Sequence, residues 1–132
     1  MLTLLNARTG RVVASAVEVA TTRTERRRGL LGRRSLDVSA ALMLSPCVAV
    51  HTAFMHFAID VVFVDEDGTV VRIVETLRPW RMAACRRART VIECAGGTVR
   101  RRDVLVGDRL CFAAAHVAAA SASGGPVQAL AT

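Results

Sequence analysis

The sequence predicts a mainly β protein, either a compact antiparallel β-sandwich or a partly closed barrel, with one or two short helices. Three observations favour this fold class. Stretches rich in β-branched and apolar residues recur at near-regular spacing, turn-forming residues such as Gly and Asp separate them, and one stretch carries the start signals of a helix. Several short strands in this arrangement are typical of sandwiches and small barrels.

The hairpin over residues 58–75 is the clearest predicted element. Its first strand is the apolar run AIDVVFV, its turn is DEDG, and its second strand is TVVRIVE. Turn residues at Thr9-Gly10 and Gly96-Gly97 divide the other runs in the same way. We therefore expect strands at residues 2–5, 11–20, 58–64, 69–75, 90–95 and 109–115, with a further apolar run at 40–44.

The stretch TTRTERRRGLLGRR predicts a short helix. Thr22 or Thr24 can act as its N-cap, and Glu25 stands three residues after Thr22, where a capping box places its acid. Gly29 and Gly32 limit this helix to two or three turns. The arginines near its end suit the negative end of the helix dipole.

Length and composition predict one domain. The chain has 132 residues, of which 52% are hydrophobic and 22% charged, as in ordinary globular proteins. We expect a single domain over residues 1–117 and a disordered tail rich in Ala, Ser and Gly over 118–132. The apolar runs are shorter than the about 20 residues of a membrane helix, and the chain opens without a charged-then-apolar leader, so we expect no membrane span and a cytoplasmic location.

The basic charge carries no specific nucleic-acid signature. All 18 basic residues are arginines, and the formal net charge is +7. Clusters at residues 26–28, 86–89 and 100–102 are either solvated faces or, if they meet, a surface that attracts anions. Aromatic residues are only 4% of the chain, which leaves few platforms on which bases could stack. A small anionic ligand is the partner that we expect.

The cysteines point to neither a metal nor a redox site. They contain no Cys-x-x-Cys pair and lie in apolar settings, so we expect reduced thiols that act as small hydrophobes, and no cofactor. The four residues are Cys47, Cys85, Cys94 and Cys111.

The densest group of polar residues inside an apolar stretch lies between positions 47 and 60. Three interpretations remain open: hydrogen-bonded groups that hold the structure, a binding or catalytic pocket, or a metal site. The spacing Cys-x3-His-x4-His matches no familiar zinc pattern, which makes the metal site the weakest of the three. The polar residues of this group are Cys47, His51, Thr52, His56 and Asp60.

Asp60 is the residue on which the site hypothesis depends. It lies inside the apolar run AIDVVFV, and a carboxylate buried there without partners costs several kcal/mol. Its partners are therefore expected among His51, Thr52, an arginine or backbone amides.

The segment VHTAFMHFAIDVVFVDEDGTVVRIVETLRPWR resembles the signature of the prokaryotic family known as domain of unknown function 192. The element TERRRGLLGR resembles the family's Arg-x-x-Gly-Leu-Met element, and the resemblance spans residues 16–112. It implies a compact, mostly antiparallel β-fold with a short helix and supplies no activity. The matching positions are Arg26, Gly29, Leu30, Leu31, His51, Thr52, Met55, Ile59, Asp60, Phe63, Asp65, Gly68, Pro79, Glu93, Gly96 and 106–108.

Two functions are consistent with these residues. The first is a small binding or accessory domain with a cleft around His51, Thr52, Met55 and Asp60, near Arg26, for a small anionic or sugar-like ligand. The alternative is a hydrolytic enzyme in which His51 is a general base oriented by Asp60. The second hypothesis requires an open His51 with the Asp60 carboxylate within hydrogen-bond distance.

Overall fold

A computed structural model describes residues 2–114 of the chain. The tail expected at 118–132 lies outside these residues. The described part of the chain contains nine strands and two short helices. They are β1 (Leu2–Asn6), β2 (Val12–Ala20), α1 (Arg23–Arg28), β3 (Ala40–Leu44), β4 (Ala49–His51), β5 (Ile59–Val64), β6 (Val70–Leu77), β7 (Met82–Ala84), β8 (Thr90–Ala95), α2 (Thr98–Arg101) and β9 (Leu110–Ala114).

The prediction of a β-fold with a partly closed barrel is confirmed. Seven strands form one curled half-barrel sheet in the order β6-β5-β8-β3-β2-β1-β9, and β4 pairs with β7 in a small second sheet. Among the strands of residues 2–114, every pairing is antiparallel except that of β2 with β3. That pair is parallel because α1 and the loop after it carry the chain back to the level of Ala16, in the middle of β2, before β3 begins.

The two edges of the large sheet meet at one point, which almost closes the barrel. Thr69, just before β6, forms an isolated antiparallel bridge with Arg109, just before β9. Gly68 lies in the preceding hairpin turn with φ at +84°, and its carbonyl accepts a hydrogen bond from the Leu110 amide at 2.8 Å. A Cβ at position 68 would come within 2.8 Å of the Leu110 carbonyl oxygen, so this contact requires glycine.

Asp108 stabilises the same end of the barrel. Its buried carboxylate accepts hydrogen bonds from the Asn6 amide at 2.8 Å, from the Arg8 guanidinium at 2.6 Å and from the Leu105 backbone amide at 2.8 Å. This one side chain therefore connects the end of β1 to the turn that leads into β9.

The central strands of the large sheet are buried on both faces. One apolar cluster contains residues from all seven strands together with Val99 of α2. The other covers the opposite face of the central strands and includes Leu30 after α1, Val50 of β4 and Ala83 of β7. Because side chains alternate along a strand, neighbouring residues of β5 and β8 enter different clusters: Val61 and Val91 lie on the α1 face, Val62 and Ile92 on the α2 face.

The strands expected from the sequence are present within one or two residues of their predicted bounds. The short strands β4 and β7 and the helix α2 did not follow from the sequence pattern, since three or four residues are too few to show a period. Within residues 2–114, the protein has no helix of the length and apolarity that a membrane crossing requires.

Candidate functional site

A cleft of about 290 Å³ opens between α1 and the small sheet, on the face of the large sheet against which Leu30, just after α1, packs. Its rim is formed by arginines of α1 and by His51, its walls are apolar, and one carboxyl group lies among the lining residues. The lining residues are Arg23, Arg26, Arg27, Arg28, Gly29, Leu30, Leu31, Leu44, Cys47, Ala49, Val50, His51, Met55 and Glu93.

The helix α1 is fixed by the capping box that the sequence predicts. Thr22 is the N-cap, its hydroxyl accepts a hydrogen bond from the Glu25 amide at 3.1 Å, and the Glu25 carboxylate accepts one from the Thr22 amide at 3.0 Å. This acceptor role lowers the pKa of Glu25. The helix ends at Gly29, and Arg26 donates a hydrogen bond from its side chain to the Thr21 carbonyl. The arginine rim is thus held on a short, well-capped element.

His51 and Met55 reach the cleft from the small sheet and the loop after it. His51 ends β4 opposite Met82 of β7 and is exposed. Met55 is buried in the cluster that underlies the cleft. Arg26, His51 and Met55, three of the five residues proposed from the sequence, therefore line one cleft.

Asp60 lies on the other face of the large sheet. It is fully buried (0% exposed), and its two carboxylate oxygens accept hydrogen bonds from the backbone amides of Thr76 at 2.9 Å and Val99 at 3.0 Å. Its neighbours Ile59 and Val61 pack in the cluster below the cleft, so alternation turns Asp60 towards α2. Of the partners expected for this carboxylate, the backbone amides are the ones that bind it. His51 and Thr52 donate no hydrogen bond to it.

Thr52 is also buried, and its side chain forms hydrogen bonds to the backbone. It is 0% exposed, and its hydroxyl donates to the Arg78 carbonyl at 2.5 Å and accepts from the Arg81 amide at 2.9 Å. Its backbone amide donates to the Arg81 carbonyl at 2.8 Å. These bonds join the loop after β4 to the segment before β7. Phe54 and Trp80 lie in the two joined segments, both have left-handed backbone conformations, and their rings are 4.5 Å apart.

Glu93 is the site residue that sequence reasoning did not select. It lies in β8 between Leu42 of β3 and Val61 of β5, is only 3% exposed, and lines the cleft. Burial raises its pKa to about 7, and the positive charge of Arg33 opposes the rise. The signal that could have found it is the one used for Asp60, an acid inside an apolar strand run, here TVIECA.

The thiol of Cys47 is a hydrogen-bond donor rather than an activated nucleophile. Burial raises its pKa, and its Sγ donates to the Ala49 carbonyl at 3.1 Å. A protonated thiol is a poor nucleophile at neutral pH. Over residues 2–114, no three His, Cys, Asp or Glu side chains are grouped as a metal ion would need.

A second hollow, of about 360 Å³, lies where the barrel edges approach each other and is lined by the acidic turn and by Arg109. The acid Asp65 there accepts hydrogen bonds from the Asp67 and Thr69 amides at 2.9 and 3.0 Å. Because the Asp65 carboxylate is already hydrogen-bonded within its own turn, it is not free to bind a ligand. The cleft beside α1 is therefore the better candidate site, although its volume is smaller.

The fold and the cleft define a small, half-barrel β protein with an arginine-rimmed pocket on one sheet face. The chain belongs to the domain of unknown function 192 family, described as "Uncharacterized ACR", whose family model matches residues 4–112. This confirms the resemblance noted in the sequence.

Two curated relatives match about half of the chain. The chain is 40% identical over 63 residues to a UPF0127 protein of Pyrococcus furiosus and 42% identical over 62 residues to one of Pyrococcus abyssi. These matches cover 47% and 46% of this chain and 53% and 52% of the relatives, so the chain spans about half the length of the curated relatives it matches.

Two crystal structures share the fold. A protein from Sinorhizobium meliloti 1021, named as a proposed transcription regulator, aligns with a TM-score of 0.72 at 26% identity over 84% of this chain and 91% of that one. A protein of unknown function from Novosphingobium aromaticivorans DSM 12444 aligns with a TM-score of 0.71 at 22% identity over 83% and 81% of the two chains. The second likeness concerns the fold alone.

Proposed function

We propose that this protein is a small binding module and that the cleft beside α1 takes a small anionic or sugar-like ligand. The observation that carries the proposal is the convergence of Arg26, His51 and Met55 on one cleft from two separate elements. Arginine offers a permanent charge with several donors for a carboxylate or phosphate. Met55 and the leucines beside it supply an apolar wall of the kind that ligand pockets have.

Thr52 and Asp60 serve the site indirectly in this proposal. Thr52 holds the loop that carries Met55, because the Met55 amide donates to the Thr52 carbonyl at 3.1 Å. Asp60 holds β5, and the next residue, Val61, forms part of the apolar floor beneath the cleft. Both residues therefore fix the position of the groups that would contact a ligand.

The hydrolytic alternative gains no support from this geometry. It needs Asp60 to orient His51, and the Asp60 carboxylate is committed to two backbone amides on the opposite sheet face. The arginines of α1 and those of α2 also do not form one surface, since Leu30, just after α1, packs on one face of the sheet and Val99 of α2 packs on the other. A small ligand accounts for the arginines of α1 better than a nucleic acid does. We extend the proposal to a cytoplasmic location, with which the four free cysteines are compatible.

A thermal-shift titration tests the binding function. Gluconate, glucuronate and inorganic phosphate serve as probes, and the melting temperature is measured for the wild type and for the variants Arg26→Gln and His51→Ala. The controls are Arg100→Gln, which makes the same charge change on α2, and His56→Ala, which removes an exposed histidine outside the cleft lining.

We expect at least one probe to raise the melting temperature of the wild type in a concentration-dependent way. The rise should be lost in both cleft variants and kept in both controls. Absence of a shift with every probe, or an equal shift in all five proteins, would overturn the proposal.

A further inference from the structure

The Glu93 carboxyl group is a buried acceptor that has no hydrogen-bond partner among residues 2–114. It accepts no hydrogen bond from any residue in the range 2–114, and no basic group there lies within ion-pairing distance. Arg33, whose positive charge acts on it, pairs with Glu18 at 2.6 Å instead. All fully enclosed side-chain polar atoms of this range do have partners. The Glu93 oxygens are therefore not sealed in the core, and they reach the space of the cleft.

The surroundings of this carboxyl group leave room for a ligand atom. Its Oε1 faces Gly29, where even a Cβ would lie 3.8 Å away, and the glycine thus presents no side chain towards it. Leu30 and Met55 provide apolar lining nearby in the same cleft. Most buried polar groups in native proteins are hydrogen-bonded, so an open acceptor at a cleft floor indicates that an external donor completes it.

The cleft is therefore asymmetric in charge. Its rim carries the four arginines of α1 and His51, while its buried part carries a single acid. A ligand that fits both ends has an acidic group for the arginines and a hydrogen-bond donor for the carboxyl group. The volume of about 290 Å³ lies at the lower end of the range for small-ligand sites, which limits the ligand to the size of one sugar ring or a short chain.

We propose that Glu93 is the specificity residue of the cleft and that it selects small anions bearing a hydroxyl or ammonium donor: hydroxy acids, sugar acids or amino acids. This inference rests on the proposed function. The arginines supply attraction for any anion, and Glu93 supplies the discrimination, because a plain anion leaves the carboxyl group without a partner.

A series of probes matched in chain length tests this role. Butyrate, γ-hydroxybutyrate and γ-aminobutyrate share the acidic group and differ at the far carbon, and hexanoate and gluconate form a second, larger pair. Affinities are measured by calorimetry in mildly alkaline buffer for the wild type, Glu93→Leu, Glu93→Gln and Arg26→Gln. Glu66→Gln, an exposed acid in the β5–β6 turn, is the control.

We expect the wild type to bind at least one donor-bearing member of each set about tenfold or more tightly than its plain counterpart. In Glu93→Leu the preference should vanish while the plain anions still bind, and Glu66→Gln should keep the preference. If Glu93→Leu does not fold, Glu93→Gln decides the question, since an uncharged acceptor should lower the preference for γ-aminobutyrate by about tenfold.

The two levels of the hypothesis fail in different ways. If the wild type binds plain and donor-bearing anions equally, and Arg26→Gln abolishes both, the binding function stands and the role of Glu93 is refuted. If no anion of either set binds the wild type, the proposed function itself is refuted.

Discussion

The buried acid in β8 makes the stability of the protein depend on pH, and replacing it should remove this dependence. Burial raises the pKa of Glu93 from its ordinary 4.5 to about 7. In the folded protein the group keeps its proton up to about pH 7, whereas in the unfolded chain it loses the proton near pH 4.5. The contribution of Glu93 to the free energy of unfolding therefore falls as the pH rises between these two values and is constant outside them.

The size of this effect follows from the shift. At about 1.36 kcal/mol per pKa unit, the rise corresponds to about 3 kcal/mol of stability lost between mildly acidic and mildly alkaline pH. Glu93→Gln keeps the shape of the side chain and cannot ionise. The variant should match the wild type near pH 4.5 and exceed it by about 3 kcal/mol above pH 7.

Urea unfolding followed by far-ultraviolet circular dichroism, repeated across this pH range, measures the difference. The histidines are present in both proteins, so their contribution cancels. Glu66→Gln should give a curve parallel to that of the wild type, because this acid is exposed in a turn. A constant difference between Glu93→Gln and the wild type over the whole range would show that Glu93 is not held in a charge-excluding environment.

Three further substitutions test the fold. Gly68→Ala should lower the free energy of unfolding by about 1–3 kcal/mol more than Gly10→Ala in chemical denaturation. Both glycines have positive φ, but only at position 68 would the added Cβ come close to a backbone carbonyl. Equal losses in the two variants would refute the close contact. Asp60→Asn should cost about 1–3 kcal/mol in the same assay, since one backbone amide then faces an amide donor; an unchanged midpoint would contradict this. Burial acts to raise the pKa of Asp108, but hydrogen bonds from Arg8, Leu105 and Asn6 outweigh burial and lower this pKa. Asp108→Asn should therefore destabilise the protein by about 2–4 kcal/mol at neutral pH. That deficit should shrink as acid below pH 3.8 protonates the wild type, and a deficit independent of pH would argue against this role.

Local patterns predicted most of the elements, because each pattern is complete within a few residues. The capping box needs only Thr22 and Glu25, and the β5–β6 hairpin needs only its two β-branched runs and the turn between them. The parallel pairing of β2 with β3 was not predictable in this way. It depends on where α1 and the loop after it deliver the chain, and no residue within either strand encodes that path.

The candidate site was predicted in part for a related reason. Arg26, His51 and Met55 do line one cleft, but Asp60 was grouped with them because it is near in sequence. Alternation along β5 places it on the other face from Ile59 and Val61. Glu93 carries the same sequence signal as Asp60, an acid inside an apolar run, but its place at the cleft depends on its neighbours in β3 and β5, which the run itself does not specify.

The pairing of β1 with β9 has a consequence for how the molecule folds. Residues 2–6 form a continuous ladder with residues 110–114, so the large sheet includes contacts between segments more than a hundred residues apart in sequence. Such long-range contacts cost a large loss of chain entropy before the contacts themselves stabilise the fold. Proteins dominated by them therefore fold in milliseconds to seconds rather than microseconds. During synthesis, β1 cannot pair with β9 until β9 has been made. Until then, the unpaired edge of β1 can form backbone hydrogen bonds with other chains.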